Sequence, residues 1–594
     1  MTVTDTLRHD DIVSDTASDA ATQERWRSHM LAQRWSLALD LALAWRSSQP
    51  KALLATLACL VPLLLLARED EASALLLEGK FTFGSHPALL AFEAVLARET
   101  KTSSALTKAE LVEYASAQFG ARLGQLFAAA NPLAALRACV LWEQQLACAW
   151  GRANARSKLG QTLGDLAYDL AAGTAPQWEP ARFISLGFSH AEHTQITIAN
   201  SLADAWPAAA APKAVVAESA RLRVGYLSER LAGHATTVLM AQIPAHQDHS
   251  RLELFVYARA SEHVAAASDI EVRGCDHVRV LSTDPALAAA QIRADSIDVL
   301  IVLPDWRMEW LAQVVRASAA PVVISYLSFC ASTGGLAHYR IVDDSYVDDS
   351  HVRAHAREAT LTLRGSYYAY SAKLPLRTEA PTRTSLGLPE NAVVIAAFNA
   401  AYKLSPALCE AWAGLLSAHP HAVLWLHQTH PMQAVLLPDW FLEHGITRSR
   451  LVFAQNARHD IHVQRLTQAD VYLDAWDIGG HTSVLDALAA GVPVVTLEGS
   501  RIAQRVGAVL LREHGARDWV ASSEREYTEL ASRLISSAEE RAAYRALLQK
   551  QRGNFAPFNL PLQARKLDAA IAAAYARYQA GLPPADLIIE VTAA

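Results

Sequence analysis

The segment GGHTSVLDALAAGVPVVTLEG, residues 479–499, places Gly479, Gly480, His481, Thr482 and Ser483 directly before an apolar helix, with Asp486 one turn inside it. A helix N-terminus exposes unpaired N–H groups and the positive end of its dipole, so it binds phosphate where small residues leave the approach open. The two glycines clear that space, and His481, Thr482 and Ser483 add donors. An ordinary N-cap by Thr482 or Ser483 accounts for the same residues. Three other loops offer matching chemistry. Lys403, in AAYKLSP, follows the apolar run AVVIAAFN, where an ammonium could neutralise a diphosphate. His459, His462 and Arg465, in NARHDIHVQR, share a helical face at i, i+3 and i+6. His234 sits at the mouth of the loop after RLRVGYLS. Each has a plainer alternative: a surface lysine, a solvated helix face, a helix-capping histidine.

Other constellations carry less. The acids of VDDSYVDDSH, residues 342–351, have a spacing that metal-dependent sugar transferases use, but paired aspartates in a polar loop more often face solvent. His427 and His430 stand at i, i+3 without a third ligand, so no metal and no cofactor is expected. Six scattered cysteines show neither a disulfide framework nor a zinc spacing, which fits a reducing cytoplasm. A net charge of -7 excludes a broad basic face and, with it, non-specific attraction to nucleic acid. The N-terminus is acidic and polar, unlike a signal peptide. The uncharged run of residues 52–67 is shorter than a membrane span and contains Pro62, so it reads as a buried core helix.

The elements that must position these residues change character along the chain. Residues 1–20 read as a disordered tail and 21–215 as an all-helical, acceptor-docking domain with apolar residues at three- and four-residue spacing. AQRWSLALDLALAWRSSQP is similar to the second helix of a tetratricopeptide unit, but no recurrence at that repeat's period follows. After an Ala/Pro linker, apolar runs at 221–228, 252–258, 297–304 and 321–328 read as parallel strands of a first Rossmann-like domain, residues 216–375. Runs at 392–399, 422–428, 450–455, 470–475 and 492–499 predict a second Rossmann-like domain over 376–560, with a crossover helix and tail at 561–594. Ligands of such sheets lie beyond the carboxyl ends of the strands.

From about residue 220 onward the chain resembles the catalytic region of the protein O-GlcNAc transferases, glycosyltransferase family 41. The similarity rests on LRVGYLSERLAGHATTVLM, APVVISYLSFCASTGG, FNAAYKLSP, HAVLWL, IHVQRLTQADVYLD, GGHTSVLDALAAGVPVVTLEGSRIAQRV and the tail from FNLPLQARKLD, in family order. The resemblance implies a GT-B fold, α/β with two Rossmann-like domains behind an all-α domain. It implies an inverting, metal-independent transferase that moves a sugar from a nucleotide-sugar donor such as UDP-GlcNAc to a protein side chain. Lys403 would contact the diphosphate, with Gly480, His481, Thr482 and Ser483 sharing that load. Asp486 would accept from ribose hydroxyls, and His462 and Arg465 would lie by the nucleobase. His234 would act as general base or as a group orienting the sugar. Ala400 replaces a family glutamine, His459 a lysine, and CAST the family's proline-glycine before TSG, which leaves the sugar open. The helical arm is nearer in size to that of adhesin N-glucosyltransferases or flagellin-modifying relatives, making a bacterial surface protein such as flagellin an acceptor to consider. A nucleotide-sugar 2-epimerase and a degenerate transferase serving as an adaptor are the competing readings.

Overall fold

The computed structural model describes residues 35–50, 53–65, 68–83, 192–204 and 221–591, apart from 262–263, 305–308, 328–331, 347–349, 372–380 and 430–432, together with isolated positions nearer the N-terminus. The described residues fall into two compact units. In the first, helices Trp35–Ser48, Leu53–Leu65 and Glu69–Phe83 pack consecutively. Leu57, Cys59, Leu60 and Leu63 of the middle helix are buried, and its Pro62 lies within it. At 13 residues it is about 20 Å long. No helix among the described residues is long and apolar enough to cross a membrane. Most of the proposed docking domain, 91–147 and 149–191, lies outside the described residues, as does the 1–20 tail.

The second unit begins with helix Glu192–Asp204, which the sequence groups with the helical arm. It belongs instead with the first sheet domain. Arg357 holds Asp204 at 2.6 Å, Ser332 N donates to Gln195 Oε1 at 3.2 Å, and Gly334 packs against the helix backbone. A Cβ at Gly334, whose φ is +69°, would lie 2.2 Å from Ala199 O, so only glycine fits there.

Two parallel sheets follow. The first comprises β1 (Leu222–Ser228), β2 (Leu252–Arg259), β3 (His277–Leu281), β4 (Val299–Val302), β5 (Val322–Ser325), β6 (Tyr339–Val342), β7 (Ala359–Leu363) and, from the C-terminus, β14 (Leu587–Ile589). Their order is β14-β7-β6-β5-β4-β1-β2-β3. The second comprises β8 (Val393–Ala397), β9 (Ala422–His427), β10 (Leu451–Ala454), β11 (Val471–Leu473), β12 (Val494–Leu497) and β13 (Val520–Ala521), in the order β10-β9-β8-β11-β12-β13. In both, strand order reverses beside the first strand, between β1 and β4 and between β8 and β11. Loops diverge at such a switch point and leave a crevice for a ligand. The central strands are buried on both faces, which explains their uninterrupted Val, Ile and Leu content. Helix Leu560–Gln579 returns the chain to the first sheet, where β14 pairs with β7, so the expected tail contains a strand.

Candidate functional site

The switch point of the second sheet is built from the loops after β8 and β11. After β8 the chain makes one tight turn, Ala401–Lys403, before Ser405 caps helix Pro406–Ala418 by accepting from Leu408 N. This turn buries Lys403, which is 7% exposed, and its Nζ donates to Gly479 O at 2.8 Å. The surface-lysine alternative is thereby excluded. Burial lowers its pKa to about 8, against the pull of the Asp474 carboxylate.

Asp474, at the end of β11, went unremarked in the sequence, yet it organises the loop. It is fully buried and accepts from Gly480 N at 2.6 Å and Ala475 N at 2.8 Å on Oδ1, and from Thr496 Oγ1 at 2.8 Å on Oδ2. Burial raises its pKa, and Lys403 is the strongest opposing influence. This bonding corrects the reading of Gly480. Its Cβ position is filled, 2.7 Å from Asp474 Oδ1 and 2.6 Å from Ser483 Oγ, so the glycine lets Asp474 grip the loop and does not open space for a ligand. An acid directly after an apolar strand was the available signal.

Helix Thr482–Ala489 begins at Thr482, so neither Thr482 nor Ser483 is its N-cap; the cap position is His481, whose side chain makes no capping bond. Local capping therefore does not explain these residues. Ser483 Oγ instead donates to Asn399 Oδ1 at 3.2 Å, and Thr482 is half-buried. The His481 imidazole is buried, with Nδ1 2.9 Å from Tyr368 OH. Burial and the Lys403 ammonium hold its pKa well below the usual histidine range, so it is neutral.

A second group surrounds Asp486 on the same helix. Asp486 is 4% exposed, and its Oδ1 accepts from Tyr370 OH at 2.7 Å and faces His459 Nε2 at 2.7 Å. Oδ2 faces His462 Nε2 at 3.8 Å, beyond hydrogen-bond range, which leaves it able to accept from a ligand hydroxyl. Arg465 is buried and the His462 side chain is only 12% exposed, so the solvated-face alternative fails. Arg465 donates to Gln455 O at 2.6 Å and lies over the Phe398 ring at 5.0 Å; its NH2 is 2.9 Å from His462 Nδ1. Arginine only donates, so His462 Nδ1 is the acceptor and its proton sits on Nε2, toward Asp486. Burial drives the His462 pKa to about 3 and that of Arg465 to about 10.

His234 caps helix Ala235–Met240 through Nδ1, which accepts from Thr236 N at 3.3 Å, so its capping alternative is realised. A neutral His234 bonded in this way carries its proton on Nε2. The helix it caps packs against Thr482–Ala489, bringing the first domain's switch-point loop to the second domain's site. The remaining motifs do not join them. Of the acids at 342–351, Asp343 is buried and accepts from Ser345 N and Tyr367 N, Asp344 faces solvent as expected, and Asp348 and Asp349 lie outside the described residues. His427 contacts Asn456 at 2.9 Å, and His430 lies outside the described residues.

Two Rossmann-like domains, with a buried ammonium and a helix start at the switch point of the second, define a doubly wound α/β protein. Residues 190–369 and 361–567 match Glycosyl transferase family 41, and the chain belongs to that family. Among curated relatives it is 27% identical over 341 residues to the probable UDP-N-acetylglucosamine–peptide N-acetylglucosaminyltransferase SEC of Arabidopsis thaliana, covering 56% of this chain and 35% of that protein. It is 26% identical over 315 residues to the UDP-N-acetylglucosamine–peptide N-acetylglucosaminyltransferase of Caenorhabditis elegans, covering 52% and 26%. The chain thus spans about a third or less of the length of these relatives. An O-GlcNAc transferase mutant from Thermobaculum terrenum superimposes with a TM-score of 0.60 at 21% identity, over 96% of this chain and all of that one, which shows a shared GT-B-like fold.

Proposed function

We propose that this chain transfers N-acetylglucosamine from UDP-N-acetylglucosamine to a protein side chain, with inversion and without a metal. The observation that carries the reading is Lys403, a buried ammonium beside a helix start that has no side-chain cap, at the switch point of the second sheet. The names of the curated relatives supply the donor and the acceptor class. In a single displacement the acceptor oxygen bonds to the anomeric carbon while the bond to the β-phosphate oxygen breaks. UDP leaves with that electron pair, and the acceptor hydroxyl's proton passes to a phosphate oxygen of the departing UDP. Lys403 and the N–H groups at the start of helix Thr482–Ala489 face the growing phosphate charge, doing what a metal does elsewhere. Asp486 Oδ2 accepts from a ribose hydroxyl, and His462 and Arg465 border the base. His234, protonated on Nε2, donates to the sugar or acceptor; serving as base would first require release of its Thr236 bond. The acceptor docks on the helical region, with flagellin the first candidate and the cytoplasm the expected compartment.

The test is incubation of the purified chain with labelled UDP-N-acetylglucosamine and candidate acceptors. Label on protein, with a mass gain of one N-acetylhexosamine, supports transfer. Isomerised free sugar would identify an epimerase, and neither product an adaptor. If His234→Ala leaves turnover intact, its assigned role is wrong.

A further inference from the structure

The stretch Gly365–Ser371, GSYYAYS, leaves the first sheet after β7 and reaches two elements that carry candidate site residues, helix Thr482–Ala489 and the helix that His234 caps. Ser366 N donates to Glu513 Oε1 of the second domain at 2.7 Å, and Ser366 O accepts from Lys566 of the C-terminal helix at 3.3 Å. Tyr367 stacks on Tyr368 with ring centroids 4.3 Å apart and donates to its hydroxyl at 3.0 Å. The Tyr368 hydroxyl meets His481 Nδ1 at 2.9 Å, at the cap position of helix Thr482–Ala489. Tyr370 OH donates to Asp486, inside the same helix, at 2.7 Å. Ser371 holds the other side: its N donates to Val238 O at 2.7 Å, and its Oγ donates to Leu239 O at 3.3 Å and accepts from Gln242 N at 3.2 Å, at the helix that His234 caps.

Tyr367, Tyr368, Tyr370 and Ser371 are all buried. A buried hydroxyl costs free energy unless it is paired, and phenylalanine would fill the same volume at both outer tyrosines. The hydroxyls of Tyr368 and Tyr370 are paired with two candidate site residues, His481 and Asp486. On the transferase reading above, we propose that Tyr368, Tyr370 and Ser371 are positioning residues. One strap sets the start of helix Thr482–Ala489 and the His234 helix in a common register, so that the donor's diphosphate and ribose are held at a fixed place relative to His234.

The full chain carrying Tyr370→Phe, Tyr368→Phe or Ser371→Ala tests this. Tyr370→Phe strips one donor from Asp486 and is expected to raise KM for UDP-N-acetylglucosamine about tenfold with kcat nearly unchanged. Ser371→Ala loosens the His234 helix and is expected to lower kcat about tenfold with KM nearly unchanged. Tyr368→Phe should move both. Hydrogen exchange on the ligand-free chain decides the same point without turnover: the Tyr368→Phe/Tyr370→Phe double variant should exchange faster over Thr482–Ala489 and Ala235–Met240, and unchanged over Glu524–Ser536. Exchange identical to the unsubstituted chain, or kinetic losses that follow thermal stability alike in all three variants, overturns the proposal. An unsubstituted chain that neither binds nor turns over the donor sinks the transferase reading instead, while the exchange comparison still decides the strap.

Discussion

The two parallel sheets share a strand order around their switch points but treat charge there in opposite ways. At the second, between β8 and β11, Lys403, Asp474, His481 and Asp486 are all buried; Lys403 and Asp474 bond the loop at Gly479 and Gly480, and His481 and Asp486 bond Tyr368 and Tyr370. At the first, between β1 and β4, His234 is only half-buried on a short helix, and the nearby Arg259–Glu229 pair is partly exposed. Buried charge is costly unless every group is partnered, so it is found where a fixed ligand must be held. A half-exposed residue suits a position where substrates come and go. On the proposed reading the second domain grips the nucleotide, and the first presents His234 and the strap.

The largest effect is expected where that contrast is sharpest. Asp474→Ala leaves Lys403 without its carboxylate and Gly480 N without its acceptor, and should destabilise the chain by about 3–5 kcal/mol in urea unfolding; a loss below about 1 kcal/mol would show that the cluster does not hold the loop together. Next, Lys403→Ala should weaken UDP binding about a hundredfold by calorimetry, and unchanged affinity would remove the ammonium from the site. A smaller, graded effect comes from pH. The free Lys403 pKa is lowered to about 8, and a bound diphosphate would raise it, so affinity should be flat below pH 8. Above that it should fall by up to about tenfold per pH unit. Stability runs the other way. The folded chain binds fewer protons at Lys403 than the unfolded chain between about pH 8 and the ordinary value of 10.5, so this group's contribution to stability rises with pH across that window. Affinity that ignores pH over this range would contradict the assignment. The smallest effect belongs to the first sheet: His277→Ala removes a part-exposed contact with Glu253 at 2.9 Å and should cost below about 1 kcal/mol, with UDP affinity unchanged.

The strands visible in the sequence are β1, β2, β4, β5, β8, β9, β10, β11 and β12, whose apolar runs are mostly those of central strands covered by helices on both sides of the sheet; β10, although an edge strand, keeps the apolar run LVFA. Those not seen break that pattern for local reasons. β3 and β14 are edge strands, β13 has two residues, β6 carries the buried Arg340, and β7 interleaves threonines. In the candidate site, Lys403 stood out because it follows a strand end, His481 and Asp486 because they lie at a helix start, and His462 and Arg465 because their spacing puts them on one face of helix His459–Leu466. The tyrosines at 368 and 370 were not, since aromatics in a connecting segment have no local signature, and Asp474 offered only its place directly after an apolar strand.

By itself the sequence determined the two βα domains, the helix start at residues 479–486 and the lysine that shares its switch point, because apolar period and glycine placement are local properties. Only the tertiary structure decided what those residues touch. Gly480 is glycine because Asp474 fills its Cβ position, Ser483 in the first turn of the helix turns its hydroxyl to Asn399, and Asp486 takes one of its donors from Tyr370, 116 positions away. Such pairings depend on how two sheets bring distant loops together, and no period in the chain records them.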